Sequence, residues 1–499
     1  MTNTTPQKVR FVIIGAGFSG VAVSIRLREE GISDFVVLER AEEVGGAWRD
    51  NTYPGAACDV ESHLYSYSFA PKKDWSRVFA AQPEILDYIK SVVADFDLSQ
   101  HIRLGQELLE ARWDQESQRW LVRTTSEFYS AEILISGTGA LSDPAIPSLT
   151  GLEDFTGETW HSSQWRHDID LTGKRVAVIG TGASAIQFVP EIQPTVDNLR
   201  VFQRTPAWVL SRHDRPYSPL EKRVFSTVPV AQQLNRQRIY AEREALAFLE
   251  QRPRLIKPVQ NMAKRHLESQ VTDPTLREKL TPSYTLGCKR ILISNDWYPA
   301  LTQPNVDVVT DGIDRITPEG VLTTDGHLHE MDYIIFGTGF QATTPPVAHR
   351  IVGRAGHSLA QQWGGSMRAY RNTSVNGFPN MFIINGPNVG SGHTSMIYMI
   401  EAQVDYLIKA LRAMQSHGAD VLEVTEVEEQ RFATWMQERG TGTVWTAGGC
   451  SSWYLDEHGR NTLIWPGHSF SFRALVSTFD AGHYDLTSTV RDGDLATVS

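Results

Sequence analysis

Four short apolar runs dominate the hydrophobic pattern of the chain, and each stops at a glycine: Phe11–Ile14, the core of Ala131–Ser136, Val176–Ile179 and Tyr333–Phe336. An apolar run of this length, without polar alternation and ended by glycine, predicts a strand buried on both faces of a parallel sheet. The runs pair up. FVIIGAGFSG (Phe11–Gly20) is answered by AEILISGTGA (Ala131–Ala140), and VAVIGTGASA (Val176–Ala185) by MDYIIFGTGF (Met331–Phe340); both return runs finish on Gly-Thr-Gly. From about Ser211 to Leu286 the pattern changes to Glu, Arg, Gln and Leu at helical spacing (LEKRVFSTV, QRIYAEREALAFLEQR), which predicts a helical insertion. Further on, PNMFIINGP predicts a strand and turn, and MIYMIEAQVDYLIKALRAM (Met396–Met414) an amphipathic helix. The last residues, from about Arg491, read as loosely ordered.

The glycines carry the first chemistry. Gly15, Gly17 and Gly20 have G-x-G-x-x-G spacing, and Gly180, Gly182 and Ala185 repeat it with alanine last. A buried strand, a tight glycine turn and a helix N-terminus make an anion site fit for a pyrophosphate. Twenty-four residues after its first glycine the first unit reaches Glu39, and the second, at the same interval, reaches Arg204. A carboxylate there suits a ribose diol and an arginine suits a 2′-phosphate, so the first unit reads as an FAD site and the second as an NADPH site. Ser19 in the first turn, and Thr181, Ala183, Ser184 and Thr205 around the second, join the expected contacts. The fold class is therefore α/β, with two nested Rossmann-like dinucleotide-binding domains and a helical insertion. The expected segments are 1–145 for the flavin domain, 146–210 for the NADP domain, 211–286 for the insertion, 287–375 for the rest of the NADP domain, and 376–499 for the rest of the flavin domain.

Composition narrows the function classes. A net charge of −11 over 499 residues argues against a general nucleic-acid surface. Cys58, Cys288 and Cys450 are widely spaced with no C-x-x-C pair, which suits a reducing cytoplasm and gives neither a metal site nor a redox pair beside a flavin. Lys8 and Arg10 before an apolar run imitate a signal peptide, but the glycine fingerprint inside that run makes it a first strand. No uncharged stretch is long enough to insert stably in a membrane.

Between the first fingerprint and the insertion lies GGAWRDNTYPGAACD (Gly45–Asp59), and further on FTGETWHSSQW (Phe155–Trp165). These resemble the long and short fingerprints of type I Baeyer–Villiger monooxygenases, and the resemblance covers nearly the whole chain. One departure is Arg166, where the family usually continues with Pro or Asp after the tryptophan. The resemblance implies that NADPH reduces the flavin, O₂ adds to it, and a flavin peroxyanion attacks a ketone to give an ester or lactone. Such an anion needs a fixed cation in a dry pocket. GCKRILISNDWYPAL (Gly287–Leu301) resembles the segment that supplies it, with Arg290 at the position and Asp59 as its countercharge. Lys289 faces the other way in an extended segment and could reach the 2′-phosphate. Gly46, Ala47, Trp48, Asp59, Tyr65, Leu108 and Met396 complete the expected flavin contacts, with Tyr53 packing near the ring, and Trp453 resembles a late tryptophan near NADP and substrate. His161 reads as a structural or hinge residue between the domains.

The partners expected are a small ketone and O₂. A sibling flavin monooxygenase acting on nitrogen or sulfur remains the nearest alternative, although it needs no arginine of this kind. A disulfide reductase is excluded by the absent cysteine pair. Substrate-pocket residues are expected around Ser283–Thr285, Gly390–Tyr398 and Trp453.

Overall fold

The computed structural model describes residues 5–252 and 254–488; the expectation for Arg491 onward lies outside the described residues. The strand Gln7–Ile14 sits centrally in an eight-stranded sheet, parallel to Phe35–Leu38 on one side and to the return strand Phe128–Ser136 on the other. The strand Arg175–Ile179 occupies the same place in an all-parallel five-stranded sheet, between Asn198–Phe202 and Tyr333–Phe336. In each sheet the glycine turn thus lies between the strand that ends at the selector residue and the strand that ends in Gly-Thr-Gly. Their burial on both faces explains the unbroken apolar runs.

The first glycine of each turn is a steric requirement. A Cβ on Gly15 (φ +97°) would stand 2.9 Å from the carbonyl oxygen of Gly137, and one on Gly180 (φ +112°) 2.4 Å from that of Gly337. Backbone meets backbone at both turns, and no side chain fits between them.

Residues 211–286 fold as predicted into helices, Pro219–Thr227, Pro229–Glu250, Lys257–Gln270 and Pro274–Lys279. They pack two ways: Tyr217 and Ile239 enter the flavin-domain core, while Ile256, Ala263, Tyr284 and Leu286 share a cluster with Val444, Trp445 and Tyr454. Each such large side chain contributes about 1.5–3 kcal/mol when fully buried.

One boundary differs from expectation. The NADP segment was expected to run to residue 375, but Ile351–Val352 already pairs with Leu108–Asp114 in the first sheet. The chain is therefore back in the flavin domain 25 residues early. A two-residue strand carries too little periodicity to be read from sequence. The two crossings between the domains lie side by side: the Ala145 N–H donates to Gly339 O at 2.8 Å, and that of Gln341 to Asp143 O at 2.9 Å. Among the described residues no helix is long and apolar enough to cross a membrane, and no group of His, Cys, Asp and Glu could hold a metal ion.

The second and third positions of the fingerprints should respond differently to one methyl group. A Cβ on Gly20 would stand 1.9 Å from Gly15 O, whereas one on Gly182 would meet nothing closer than 3.8 Å. Gly20→Ala is expected to lose FAD and melt several degrees lower, as overpacking of about 1–3 kcal/mol requires. Gly182→Ala is expected to keep the wild-type midpoint. Flavin absorbance and thermal melts check both.

Candidate active site

On the flavin side, the helix Phe18–Glu29 begins at Gly17 with no side-chain cap, so its first N–H groups remain for a ligand. Gly17 and Gly46 face each other so closely that a Cβ on Gly46 would stand 3.1 Å from Gly17 Cα. Bare backbone on both walls makes a cradle that any side chain would fill. Glu39 ends the neighbouring strand and is buried. Its carboxylate accepts from the Ala16 N–H at 2.9 Å, the Ala41 N–H at 3.0 Å and Arg49 Nη1 at 2.8 Å. A carboxylate has about four acceptor positions, so one stays open for a ribose hydroxyl. These residues fit the nucleotide half of FAD.

Ala47 and Trp48 open a single helical turn, Ala47–Asp50, and Trp48 Nε1 donates to Tyr65 Oη at 3.0 Å. Tyr65 in turn stands edge-on to Phe18, with ring centroids 5.6 Å apart, so the pair flanks the start of the first helix. Burial raises the Tyr65 phenol far above its ordinary range, and it stays neutral. Ser19 lies buried beside Gly137. Met396 begins the helix Met396–His417, its Sδ accepting from the Ser391 N–H at 3.3 Å.

The side chains of Tyr53 and Leu108, also expected near the flavin, have protein partners of their own. Tyr53 packs on the second domain, its hydroxyl donating to Gln187 Oε1 at 3.0 Å and its ring 6.0 Å from that of Phe188. Burial there pushes its phenol up to about 12. The side chain of Leu108 is buried in the second hydrophobic cluster of the flavin domain, and its carbonyl accepts from Arg350 Nη1 at 2.6 Å.

On the NADP side, Gly182 and Ala183 are exposed at the mouth of the turn, Ser184 precedes the helix Ala185–Ile192, and Thr181 Oγ1 donates to Thr205 O at 3.3 Å. Lys289 lies 5.4 Å from the Tyr284 ring centroid. Its pKa is lowered by burial and by repulsion from Arg204. Neither cation forms an ion pair with a carboxylate among the described residues. Two cations held together without an acid form a site that an added dianion relieves, which fits the 2′-phosphate of NADPH.

Between the two halves, Arg290 grips Asp59 in a fork: Nε to Oδ2 at 2.8 Å and Nη2 to Oδ1 at 2.8 Å. Burial pushes the Asp59 carboxyl upward, but the charge and hydrogen bonds of Arg290, with Arg243 behind, outweigh it and hold the group below the usual carboxylate range. The Arg290 guanidinium is stabilised first by the Asp59 charge. Lys289 thus lies by Tyr284 and Arg204 while Arg290 turns to Asp59, at a bend through Cys288 and Lys289 rather than in the extended segment expected.

The cysteine expectation is corrected. Cys288 and Cys450 form a disulfide, and only Cys58 is free among the described residues. The bridge spans 162 residues of sequence. Tertiary contact sets it: the Thr285 N–H donates to Gly448 O at 2.9 Å, bringing the loop of Trp453 against the segment of Lys289 and Arg290. No spacing rule registers such a pair. Trp453 is 44% exposed and touches Tyr454 with ring centroids 4.6 Å apart, so it is not a core aromatic. His161 is fully buried, its Nδ1 2.8 Å from Ser163 Oγ and its ring 5.4 Å from Phe340 on the second crossing. Burial pushes its pKa down to about 4, so it is neutral.

Arg49 and Arg243 were missed by sequence reasoning. Arg49 directly follows the tryptophan of the long fingerprint, which could have marked it; Arg243 sits in a polar helix with no motif around it.

Comparison with known proteins gives the family. A family profile described as flavin-binding monooxygenase-like matches residues 8–358, so fold and site define a flavin-binding monooxygenase. Within that class, a Baeyer–Villiger monooxygenase of Streptomyces coelicolor is 46% identical over 482 residues, covering 96% of this chain and 93% of the relative. One of Pseudomonas aeruginosa is 47% identical over 495 residues, covering 98% and 94%. The crystal structure of OTEMO in complex with FAD and NADP superposes with a TM-score of 0.87 at 27% identity, covering 97% of this chain and 100% of that one. The chain belongs to the flavin-binding monooxygenase-like family, among its Baeyer–Villiger monooxygenases, and its cofactors are FAD and NADPH.

Arg204→Ala is expected to raise the KM for NADPH by about a hundredfold, as lost charge-assisted bonds to phosphate imply, and to leave that for NADH nearly unchanged. A pH series checks Lys289. Its pKa lies below the usual lysine value, so its charge fades as pH rises through that lowered value, and preference for NADPH should fade over the same range. Lys289→Met should flatten the profile.

Proposed function

We propose that this chain uses NADPH and O₂ to convert a small ketone into an ester or lactone, with Arg290 as the fixed cation at the reacting centre and Asp59 as its anchor. The observation that carries this reading is the forked Arg290–Asp59 pair, formed between a loop of the flavin domain and the segment that also carries Lys289. Bound FAD supplies the redox chemistry, taking a hydride from NADPH and activating O₂.

The chain's own residues then have three tasks. Glu39 and the cradle of Gly17 and Gly46 hold the nucleotide end of the flavin. Arg204 and Lys289 hold the 2′-phosphate and so orient the nicotinamide. Arg290 keeps a full positive charge at any working pH, and negative charge developing beside it in a low-dielectric pocket is stabilised without reorganisation. The groups around the pair do not supply a competing anion or a ready proton: burial raises both the Cys58 thiol and the Tyr65 phenol far above neutrality. Oxygen transfer to nitrogen or sulfur uses a protonated, electrophilic oxidant and asks for no such cation, so the pair favours the ketone reaction.

The expected product is an ester or lactone from at least one member of a panel of linear, cyclic and aromatic ketones, one per NADPH consumed. Arg290→Ala should retain FAD and lose ester formation by about a thousandfold, in line with removal of a preorganised charge-stabilising group. Ester formation by Arg290→Ala at the wild-type rate, or a wild type that oxygenates only sulfides and amines, would overturn the reading.

A further inference from the structure

The helix Pro229–Glu250 belongs to the insertion of the NADP half, yet its buried polar anchors land on the flavin domain. Arg236 Nη1 donates to the carbonyls of His63 and Ser66, each at 2.9 Å. Two turns on, Arg243 holds Glu61, Nε to Oε2 at 2.8 Å, and the same guanidinium donates from Nη2 to the carbonyl of Asp59 at 3.1 Å. The next residue, Glu244, accepts from the Ser469 N–H at 3.1 Å, with His468 Nδ1 at 3.0 Å and His393 Nε2 at 3.3 Å, on the opposite wall. Asp59 is therefore held by two guanidiniums: Arg290 takes both carboxylate oxygens and Arg243 the carbonyl. Glu61 balances Arg243 as Asp59 balances Arg290, so the four charges form two neutral pairs on one short loop.

We propose that Arg243 is a positioning residue for the oxygenation step: its fork locks the Asp59–Glu61 loop and thereby aims the Asp59–Arg290 pair. This rests on the ketone-oxidising reading given above. Two physical consequences define it. Without Arg243 the Asp59 carbonyl loses the donor that fixes its orientation, and the carboxylate of Glu61 becomes an unpaired rival for Arg290 two residues from its proper partner. A guanidinium displaced by a fraction of an ångström still leaves FAD and NADPH bound, because their phosphates are held elsewhere. What suffers is coupling: the two electrons of each NADPH then pass to O₂ with two protons, giving one hydrogen peroxide in place of one ester and one water.

The test uses the holoenzyme with a ketone that the wild type converts, measuring ester and hydrogen peroxide per NADPH, the KM for NADPH, and the visible circular dichroism of the bound FAD. Arg243→Met should lower the ester-to-peroxide ratio about tenfold with the NADPH KM within about twofold, since misplacement of a reacting group costs rate more than binding. Arg243→Lys should recover only part of the ratio, because one ammonium keeps the charge opposite Glu61 but lacks the planar fork. It also serves as the readable variant if Arg243→Met does not fold. Wild-type coupling in Arg243→Met, or full recovery in Arg243→Lys, would overturn the proposal. If the wild type makes no ester at all, the functional reading fails, and the dichroism decides separately: a matching change in Arg243→Met and Asp59→Asn upholds the positioning role, and an unchanged band in Arg243→Met overturns it.

Discussion

A carboxylate and a guanidinium that meet across a domain boundary are stable only while both domains keep their places. Asp59 ends the long fingerprint of the flavin domain, and Arg290 begins the strand-bearing segment that follows the insertion. The Arg290 and Asp59 side chains keep 26% and 28% of their surface exposed, so breaking the pair costs less than the roughly 3–5 kcal/mol of a fully buried one. The forked pair still favours one relative placement of the two nucleotide domains, and further contacts across the boundary support it. The crossings at residues 143–145 and 338–341 are laced together, His161 packs neutrally against the second of them, and Tyr53 reaches from the flavin-side loop onto Gln187 and Phe188.

The two domains solve one packing problem in the same way. Each places a glycine turn between a selector strand and a return strand, and each needs glycine at the first position of that turn because a carbonyl oxygen of the return strand lies where a Cβ would go. Similar backbones then receive opposite selectors. Glu39 is buried, triply bonded and left with one acceptor position, whereas Arg204 shares its neighbourhood with another cation. The difference between a diol reader and a phosphate reader lies in these few side chains.

Much of this was legible in the chain. Strands buried on both faces leave unbroken apolar runs, glycine spacing marks the turns, and the helical period marks the insertion. What was illegible shares one cause, dependence on contacts between distant segments. The return to the first sheet at Ile351–Val352 is two residues long. The Cys288–Cys450 bridge exists because the Gly448 loop lies on the 285–288 segment. Leu108 and Tyr53 take positions their packing neighbours dictate. Arg243 is one charged residue among many in its helix, and only the fold shows that its guanidinium reaches the Asp59 carbonyl.

The central claim is that Asp59 and Arg290 act as one unit in oxygen transfer, which a double-mutant cycle on ester formation measures directly. Residues that act as a unit give strongly non-additive losses. Asp59→Ala, Arg290→Ala and the double variant are all expected to retain FAD, with the double variant little worse than Arg290→Ala alone. Losses that simply add, each residue contributing independently, would contradict it.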